Sequence, residues 1–348
     1  MRVSCFEFLI SRHPCSSVAQ SESACILFLV DNYFLMKLKD IGEFGLIEEL
    51  KKRAFAGAET VVGIGDDAAV LTSPRKGMLT LLTTDMLVEG THFDLRRSTP
   101  YQVGWKSLGC SLSDIAAMGG LPRAAVVSLG VRGDVGVEFC TELYRGINDL
   151  AGRFGCGIVG GDTVRSGQAL VISVAVVGEV EREMVALRSG ARPGDAVWVT
   201  GCLGGSLTGK HLSFIPRIEE ARFLVGRFPV KAMMDLSDGL GSDLYRMAGA
   251  SRVGFRIESE RIPVSPDARE SADEASGLRR ALYDGEDFEL LFALDPSCRE
   301  EEFAREFSSR FACGVSRIGT VVDPGRGITL IGPKGEKPLE EGGFSHFD

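Results

Sequence analysis

An alternation of strand-like and helical segments constrains the fold of this chain more than any other feature of its sequence. Apolar runs typical of buried strands include "LTLLTTDMLV", "AAVVSLGV" and "ALVISVAVVGEV". They are separated by segments of helical character, among them "YQVGWKSLGCSLSDIAAMG" and "GVEFCTELYRGINDLAGRFG". Strands that interleave with helices indicate an α/β or α+β fold.

The chain is expected to form two domains. Its 348 residues suffice for two domains of ordinary size. The alternation begins again after the turn signal "ARPGD", and a linker near residues 180–189 precedes that turn. We therefore predict an N-terminal domain at residues 36–180 and a C-terminal α/β domain at residues 181–348.

Residues 1–35 differ from the rest of the chain. They contain three of the nine cysteines and two apolar runs, neither of which reaches the ~20 residues that span a bilayer. From Met36 the sequence takes on helical periodicity with charged flanks. We interpret residues 1–35 as a poorly ordered leader or a mis-assigned start, with Met36 as the true first residue.

Charge and cysteine content exclude several classes of protein. The net charge of −9 argues against a general nucleic-acid surface, because phosphate backbones require fields of Lys and Arg. The nine cysteines include no CxxC pair and no Cys/His cluster with zinc-site spacing. We therefore predict a cytoplasmic protein with reduced cysteines, no nucleic-acid partner and no membrane association.

Aspartates cluster at the ends of the apolar elements. The set comprises Asp66, Asp67, Asp85, Asp114, Asp162, Asp235 and Asp238. Aspartate is common in turns and at helix N-caps, so a structural role explains any single one more easily than the whole set. If the carboxylates converge, each pair ~4 Å apart costs about 4 kcal/mol at an effective dielectric of about 20. Mg²⁺ prefers oxygen ligands and also bridges phosphates, so the set predicts a site for magnesium and phosphate.

Two glycine-rich turns match phosphate-binding motifs only in part. "GIGDDA" has the spacing of a dinucleotide fingerprint, but two carboxylates stand where a pyrophosphate would lie, which disfavours that interpretation. "GGSLTGKH" follows a strand, yet it places His211 where a P-loop requires Ser or Thr. We interpret this segment as a strand-to-helix turn, with a Walker-type loop as the alternative.

The sequence offers no arrangement for covalent catalysis. No Ser/His/Asp or Cys/His pattern stands out, so no covalent nucleophile is expected. His92, taken alone, fits a structural role better than a catalytic one. Phe344, close to the end of the chain, is suited either to packing or to forming a lid over a flat ligand.

Several long motifs, taken together, resemble those of thiamine-monophosphate kinases. "GIGDDAAVL", "TTDMLVEGTHF", "GWKSLGCSLSDIAAMGG", "GGDTVRSG", "RSGARPGD", "DLSDGLGSDL" and "GEDFELLF" occur here in the order found in that family. The resemblance covers residues 36–347 and extends to the wider superfamily typified by aminoimidazole-ribonucleotide synthetase. It implies a two-domain α/β fold whose N-terminal strands form a shared β-barrel in a homodimer, with ATP near the interface.

The resemblance also implies roles for individual residues. Several Mg²⁺ ions would be held by Asp67, Thr83, Thr84, Asp85, Asp114, Asp162, Asp235 and Asp238. ATP would be contacted by Tyr144, Gly161, Asp162, Arg188 and Ser237. The thiamine substrate would be contacted by His92, Glu286 and Phe344. The sequence around Tyr144 matches the family pattern only loosely.

The implied reaction transfers the γ-phosphoryl group of ATP to thiamine monophosphate, giving thiamine diphosphate and ADP. Phosphoryl transfer depends on positioning and charge neutralisation more than on a nucleophilic side chain, and the acceptor phosphate is already anionic. We therefore expect direct in-line transfer. The alternatives are another ATP-using enzyme of the superfamily, similar to aminoimidazole-ribonucleotide or selenophosphate synthetase, or a non-catalytic dimer that binds nucleotide or metal.

Overall fold

The computed structural model describes residues 37–270 and 274–347, so the predicted leader at residues 1–35 lies outside the described residues. One compact unit, Phe55–Phe344, holds both β-sheets found among the described residues. The described part of the other unit contains helix α1 (Leu38–Lys51), which is kinked at Gly42, where φ is 64°.

The first half of the chain forms a six-stranded mixed sheet. Its strands are β1 (Thr60–Val62), β2 (Ala69–Thr72), β3 (Met78–Val88), β4 (Leu121–Val131), β5 (Gly157–Arg165) and β6 (Val171–Glu181). They lie in the order β1-β2-β3-β6-β4-β5, and only the β4–β5 pair is parallel. Strand order therefore departs from chain order, and β5 lies at one edge of the sheet.

Two helices of the first half pack closely together, α2 (Pro100–Ala117) and α3 (Val137–Phe154). A Cβ atom at Gly104 would lie 1.9 Å from the carbonyl oxygen of Leu143, so only glycine permits this approach. Helix α2 also contacts β3 and β6, and most of its residues are buried. Because α2 is enclosed on nearly all sides, any polar residue on it must find a partner inside the protein.

The second half forms a seven-stranded mixed sheet with the order β13-β12-β9-β11-β7-β10-β8. Its strands are β7 (Ala196–Thr200), β8 (Val230–Asp235), β9 (Gly254–Glu258), β10 (Leu290–Leu294), β11 (Val315–Val322), β12 (Ile328–Gly332) and β13 (Gly335–Pro338). Its helices are α4 (Ile218–Arg227), α5 (Leu240–Ser251), α6 (Pro266–Arg269), α7 (Glu274–Tyr283) and α8 (Glu300–Arg310). Only the β9–β12 pair is parallel.

The two sheets differ in how their faces are covered. In the second sheet, Trp198 packs into one hydrophobic cluster while its neighbours Val197 and Val199 pack into the other, so both faces are buried. In the first sheet, Leu81 is fully buried whereas Leu82 on the opposite face is 42% exposed. The outer face of the first sheet is therefore open, and helix α2 lies on its inner face and also contacts β8.

The observed architecture is the α/β fold that the alternation predicts, with one mixed sheet in each half. Neither sheet closes into a barrel within the described residues. None of the helices described here is long and apolar enough to cross a membrane.

Candidate active site

Three carboxylates from distant parts of the chain meet beside helix α2. One ligand oxygen from each of Asp67, Asp114 and Asp235 lies within 4.8 Å of the others. Asp67 precedes β2, Asp114 lies on α2 and Asp235 ends β8. Since α2 contacts elements of both halves, its packing brings the three together. Such a set of oxygen atoms can hold a divalent cation.

Hydroxyl groups fix the carboxylates at this position. Each hydroxyl donates a hydrogen bond of 2.5–2.7 Å to one carboxylate oxygen: Thr83 to Asp114, Ser111 to Asp85 and Ser113 to Asp235. Sequence analysis did not single out Ser111 or Ser113. The available signal was their position on a helix whose other residues are mostly apolar or small.

Arg188 supplies the positive charge nearest to this cluster. Its Nη2 atom donates to Oδ1 of Asp67 at 2.6 Å, and its backbone N–H donates to the carboxylate of Asp66 at 3.2 Å. The Asp67 side chain is wholly buried. Its other oxygen, Oδ2, has no hydrogen-bond partner among the described residues. A buried anionic oxygen without a partner is costly, and a bound cation would satisfy it.

The cluster holds more negative charge than Arg188 neutralises. Burial, followed by the charge of Asp67, raises the pKa of Asp66 to about 6 and that of Asp235 to about 7. The pKa of Asp114 is raised well above its usual value by burial and then by the charges of Asp85 and Asp235. Carboxylates with raised pKa values in one place indicate a site that favours a cation.

The metal-free protein is expected to lose stability as the pH rises from about 4 to about 7. The folded state retains protons on Asp66 and Asp235 that the unfolded state has already released, so the unfolding free energy falls across this window. Saturating Mg²⁺ should remove most of the dependence. Urea unfolding at pH 5 and pH 8, with EDTA or with Mg²⁺, tests this.

The unfolding free energy in Mg²⁺ should exceed that in EDTA by a margin that grows by about 2–4 kcal/mol from pH 5 to pH 8. His211 has a pKa lowered by burial, which acts in the opposite direction but contributes to both curves alike. If the unfolding free energy changes with pH by the same amount in EDTA and in Mg²⁺, the prediction is contradicted, because the cluster then carries no excess negative charge.

Three other predicted metal ligands, Thr84, Asp162 and Asp238, are not part of the group formed by the three carboxylates. Thr84 is on the opposite face of β3 from Thr83, and its hydroxyl lies 3.4 Å from that of Ser173. Asp162 is exposed on edge strand β5, which is separated from β3 by two strands and so by about 14 Å. Asp238 forms an ion pair with Arg246.

The residues predicted to contact ATP are spread more widely. Gly161 is exposed on β5, where it pairs with Val127 of β4. Tyr144 lies on α3 and packs against the hydrophobic core. Ser237 follows β8, directly after the end that carries Asp235, and its carbonyl accepts a hydrogen bond from the Glu286 N–H at 2.6 Å. Only Arg188 and Ser237 of this group lie beside the carboxylate cluster.

The three residues predicted to contact the thiamine substrate lie near one another. The rings of His92 and Phe344 have centroids 6.4 Å apart. The N–H of Phe344 donates to the carbonyl of Asp238 at 3.1 Å, which places it beside the segment that holds Glu286. His92 Nδ1 accepts a hydrogen bond from the Val88 N–H at 3.0 Å. These contacts form one surface next to the carboxylate cluster.

The "GGSLTGKH" segment does not have the geometry of a phosphate-binding loop. The N–H of Gly204 donates to both carboxylate oxygens of Asp287 at 3.0 Å, and the N–H of Gly205 donates to Asp284. Lys210 donates to Glu289 at 2.8 Å. Groups that would cradle a phosphate are thus occupied by carboxylates. Two short 3₁₀ turns follow, in place of the helix of a P-loop.

Comparisons with known proteins agree with this architecture. Models of the AIR synthase related protein family match its N-terminal domain to residues 65–180 and its C-terminal domain to residues 192–331. The solved structure described as AaThiL complexed with AMPPCP and TMP superposes with a TM-score of 0.75 at 34% identity, covering 90% of this chain and 99% of that one. The chain thus has the two-domain α/β fold of AIR synthase related proteins, with mixed sheets.

Similar proteins of curated function identify the family to which the chain belongs within this fold class. The thiamine-monophosphate kinase of Rhodopirellula baltica is 38% identical over 80% of this chain and 89% of that protein. The thiamine-monophosphate kinase of Aquifex aeolicus is 36% identical over 90% of this chain and 100% of that protein. This chain belongs to the thiamine-monophosphate kinase family.

Proposed function

We propose that this protein transfers the γ-phosphoryl group of ATP to the phosphate of thiamine monophosphate, giving thiamine diphosphate and ADP. The observation that carries the proposal is the buried cluster of Asp67, Asp114 and Asp235, with Arg188 beside it and the predicted thiamine-contacting residues nearby. A related structure that binds AMPPCP, an ATP analogue, together with TMP supports the choice of substrates.

Magnesium fits the residues of this cluster. Asp67, Asp114 and Asp235 would hold it, with Thr83 and Asp85 alongside, and the unpartnered Oδ2 of Asp67 is the clearest opening for a cation. When bound, Mg²⁺ would neutralise phosphate charge and so allow two polyanions to approach. Asp162, Asp238 and Thr84 remain predicted ligands that rest on the family resemblance.

The side chains contribute positioning and charge more than proton transfer. Arg188 is suited to bind a phosphate of ATP, because its guanidinium is only partly satisfied by Asp67. The acceptor is a phosphate oxygen that is already anionic, so no general base has to remove a proton from it. Direct in-line transfer requires no phospho-enzyme. Ser237, Gly161 and Tyr144 are further proposed ATP contacts.

The nearby surface is suited to the thiamine rings. Phe344 is 40% exposed, and a ring at the surface is suited to stack on the pyrimidine or to cover the cationic thiazolium. Glu286 adds a carboxylate, and His92 adds a ring with its own hydrogen-bonding edge. Together they offer an aromatic and anionic site, which complements a flat cation.

An ADP-release assay with several acceptors tests the proposed reaction. With ATP, Mg²⁺ and thiamine monophosphate, the protein should release ADP and form thiamine diphosphate in equal amounts, the product being identified by ³¹P NMR. Unphosphorylated thiamine and other phosphate monoesters serve as control acceptors. ADP formed only with another acceptor would favour a different enzyme of the superfamily, and no ADP with any acceptor would favour a non-catalytic binder.

We further propose that the protein is a cytoplasmic homodimer formed by its N-terminal domain, residues 36–180. The outer face of the first sheet carries apolar side chains that are each more than 40% exposed, among them Leu82, Met86, Val126 and Val177. An apolar patch of this kind on a sheet typically marks an interface. A second copy would cover it, and Gly161 and Asp162 on edge strand β5 would then border the interface where ATP is expected.

Replacing Leu82 with glutamate should convert the dimer into a monomer. A charge at this exposed apolar position, which pairs with Val177 across the sheet, would have to be desolvated in the interface. Light scattering coupled to gel filtration measures the mass. Val137 is 72% exposed and begins helix α3 instead of lying on a strand of this sheet, so V137E is the matched control and should stay dimeric. A monomeric wild type, or a dimeric L82E, would refute the proposed interface.

A further inference from the structure

Lys106 is an unusual residue in its position. It lies on helix α2, its side chain is 1% exposed, and it is among the largest fully buried side chains of the described residues. A buried ammonium group is stable only when it is paired and hydrogen-bonded. Retaining a lysine here therefore calls for a specific role for its charge.

The partners of Lys106 point to that role. Its Nζ atom donates to Oε1 of Glu286 at 2.6 Å and to the carbonyl oxygen of His92 at 2.6 Å. Both residues belong to the proposed thiamine-binding surface, and they come from opposite halves of the chain. The ammonium group thus joins the two halves behind that surface.

Hydrogen bonds hold the backbone of Glu286 and one of its two carboxylate oxygens. Its N–H donates to Ser237 at 2.6 Å, and its carbonyl accepts from the Ser206 hydroxyl at 2.6 Å. Its backbone is left-handed with φ 55°, a conformation that persists only where the surroundings impose it. Its second carboxylate oxygen, Oε2, is buried and has no hydrogen-bond partner among the described residues, while the side chain as a whole is 20% exposed.

We propose that Lys106 is a positioning residue for thiamine recognition: anchored on the His92 carbonyl, it fixes the Glu286 carboxylate in the orientation that meets the substrate. This inference rests on the proposed function. Lys106 itself, enclosed by α2 and its neighbours, does not touch the substrate. Its effect reaches thiamine monophosphate through Glu286 and should leave ATP binding alone.

The test is the kinetics of Lys106→Met, which keeps the apolar stem and removes the charge. The KM for thiamine monophosphate should rise on the order of 10- to 100-fold, as expected for the loss of one charged hydrogen bond. The KM for ATP should stay close to the wild-type value. Lys210→Met is the matched control, because Lys210 pairs with the buried Glu289 of the same "GEDFE" segment at 2.8 Å. It should lower the Tm without a selective change in either KM.

A double-mutant cycle separates positioning from simple stabilisation. Glu286→Gln alone should raise the KM for thiamine monophosphate, and K106M/E286Q should raise it no further. The double variant should also regain the Tm lost in K106M, since no unpaired buried carboxylate remains. If K106M does not fold, the comparison of E286Q with the double variant still decides the question.

Three results would overturn the inference: an unchanged KM for thiamine monophosphate in K106M, KM values for both substrates that rise together, or additive effects in the cycle. A wild-type protein that forms no thiamine diphosphate would instead overturn the proposed function, and this inference with it. The two failures are therefore distinguishable in one set of assays.

Discussion

Replacing Asp235 with asparagine is expected to lower kcat by about 10²- to 10³-fold, the range found when one preorganised electrostatic group is removed from an active site. Asparagine keeps the shape of the side chain and still accepts the Ser113 hydroxyl hydrogen bond, which is 2.6 Å long in the wild type. The fold should therefore survive. What is lost is one of the three negative charges that would hold the magnesium ion.

The same substitution should make the metal-free protein more stable. Asp235 is almost fully buried beside Asp67 and Asp114, and burial followed by the charge of Asp67 raises its pKa to about 7. At pH 8 its ionised form opposes folding, because the unfolded state solvates that charge freely. Asparagine removes the penalty. D235N should thus show lower activity together with a higher Tm in EDTA.

Asp195→Asn is the matched control for D235N. Asp195 is also buried, accepts a hydrogen bond from the Arg192 N–H at 2.7 Å and has a pKa raised chiefly by burial, yet it lies in the "ARPGD" turn. D195N should keep wild-type kcat, and any change in its Tm should be the same in EDTA as in Mg²⁺, because Asp195 lies outside the carboxylate cluster. Full activity of D235N at limiting Mg²⁺ would show that Asp235 does not belong to the reacting site.

Much of this site could be anticipated from sequence, because its residues occur at the ends of apolar elements. The convergence of aspartates was predicted from that pattern, and Asp67, Asp114 and Asp235 do meet. The sequence also allows the prediction that Thr83 and Thr84 lie on opposite faces of a strand, since side chains alternate along it. The burial of Lys106 could not be predicted, because lysine is nearly always exposed and only the tertiary packing of α2 encloses it.

The place of Asp162 could not be derived from local patterns either. It lies on β5, and the sheet order β3-β6-β4-β5 is not the order of the strands along the chain. Which strands become neighbours depends on how α2 and α3 pack, and sequence periodicity carries no such information. The exposed position of Asp162 is informative now, because it borders the open face through which we propose that the protein dimerises.

Replacing Arg188 with methionine should cause the largest loss of stability at the site. Its guanidinium contacts the wholly buried carboxylate of Asp67 at 2.6 Å. One oxygen each of Asp114 and Asp235 lies within 4.8 Å of an oxygen of Asp67. Breaking a buried pair typically costs about 3–5 kcal/mol, because an uncompensated charge remains. We expect a fall of about that size in the unfolding free energy measured by urea in EDTA.

Magnesium distinguishes this explanation from simple loss of packing. In R188M the cation would become the main counter-charge for Asp67, so saturating Mg²⁺ should stabilise the variant more than it stabilises the wild type. D67N/R188M should regain most of the lost stability in EDTA, since no buried charge is left unpaired. If R188M gains no more from Mg²⁺ than the wild type does, the carboxylate cluster is not where the cation binds.

Arg222→Met provides the comparison for R188M. Arg222 pairs with Glu181 at 2.7 Å, but both side chains are partly exposed, at 20% and 36%. Exposed pairs contribute only about 0–1 kcal/mol, so R222M should cost far less stability and respond to Mg²⁺ as the wild type does. A rise in the KM for ATP in R188M but not in R222M would show that Arg188 also binds a phosphate of ATP.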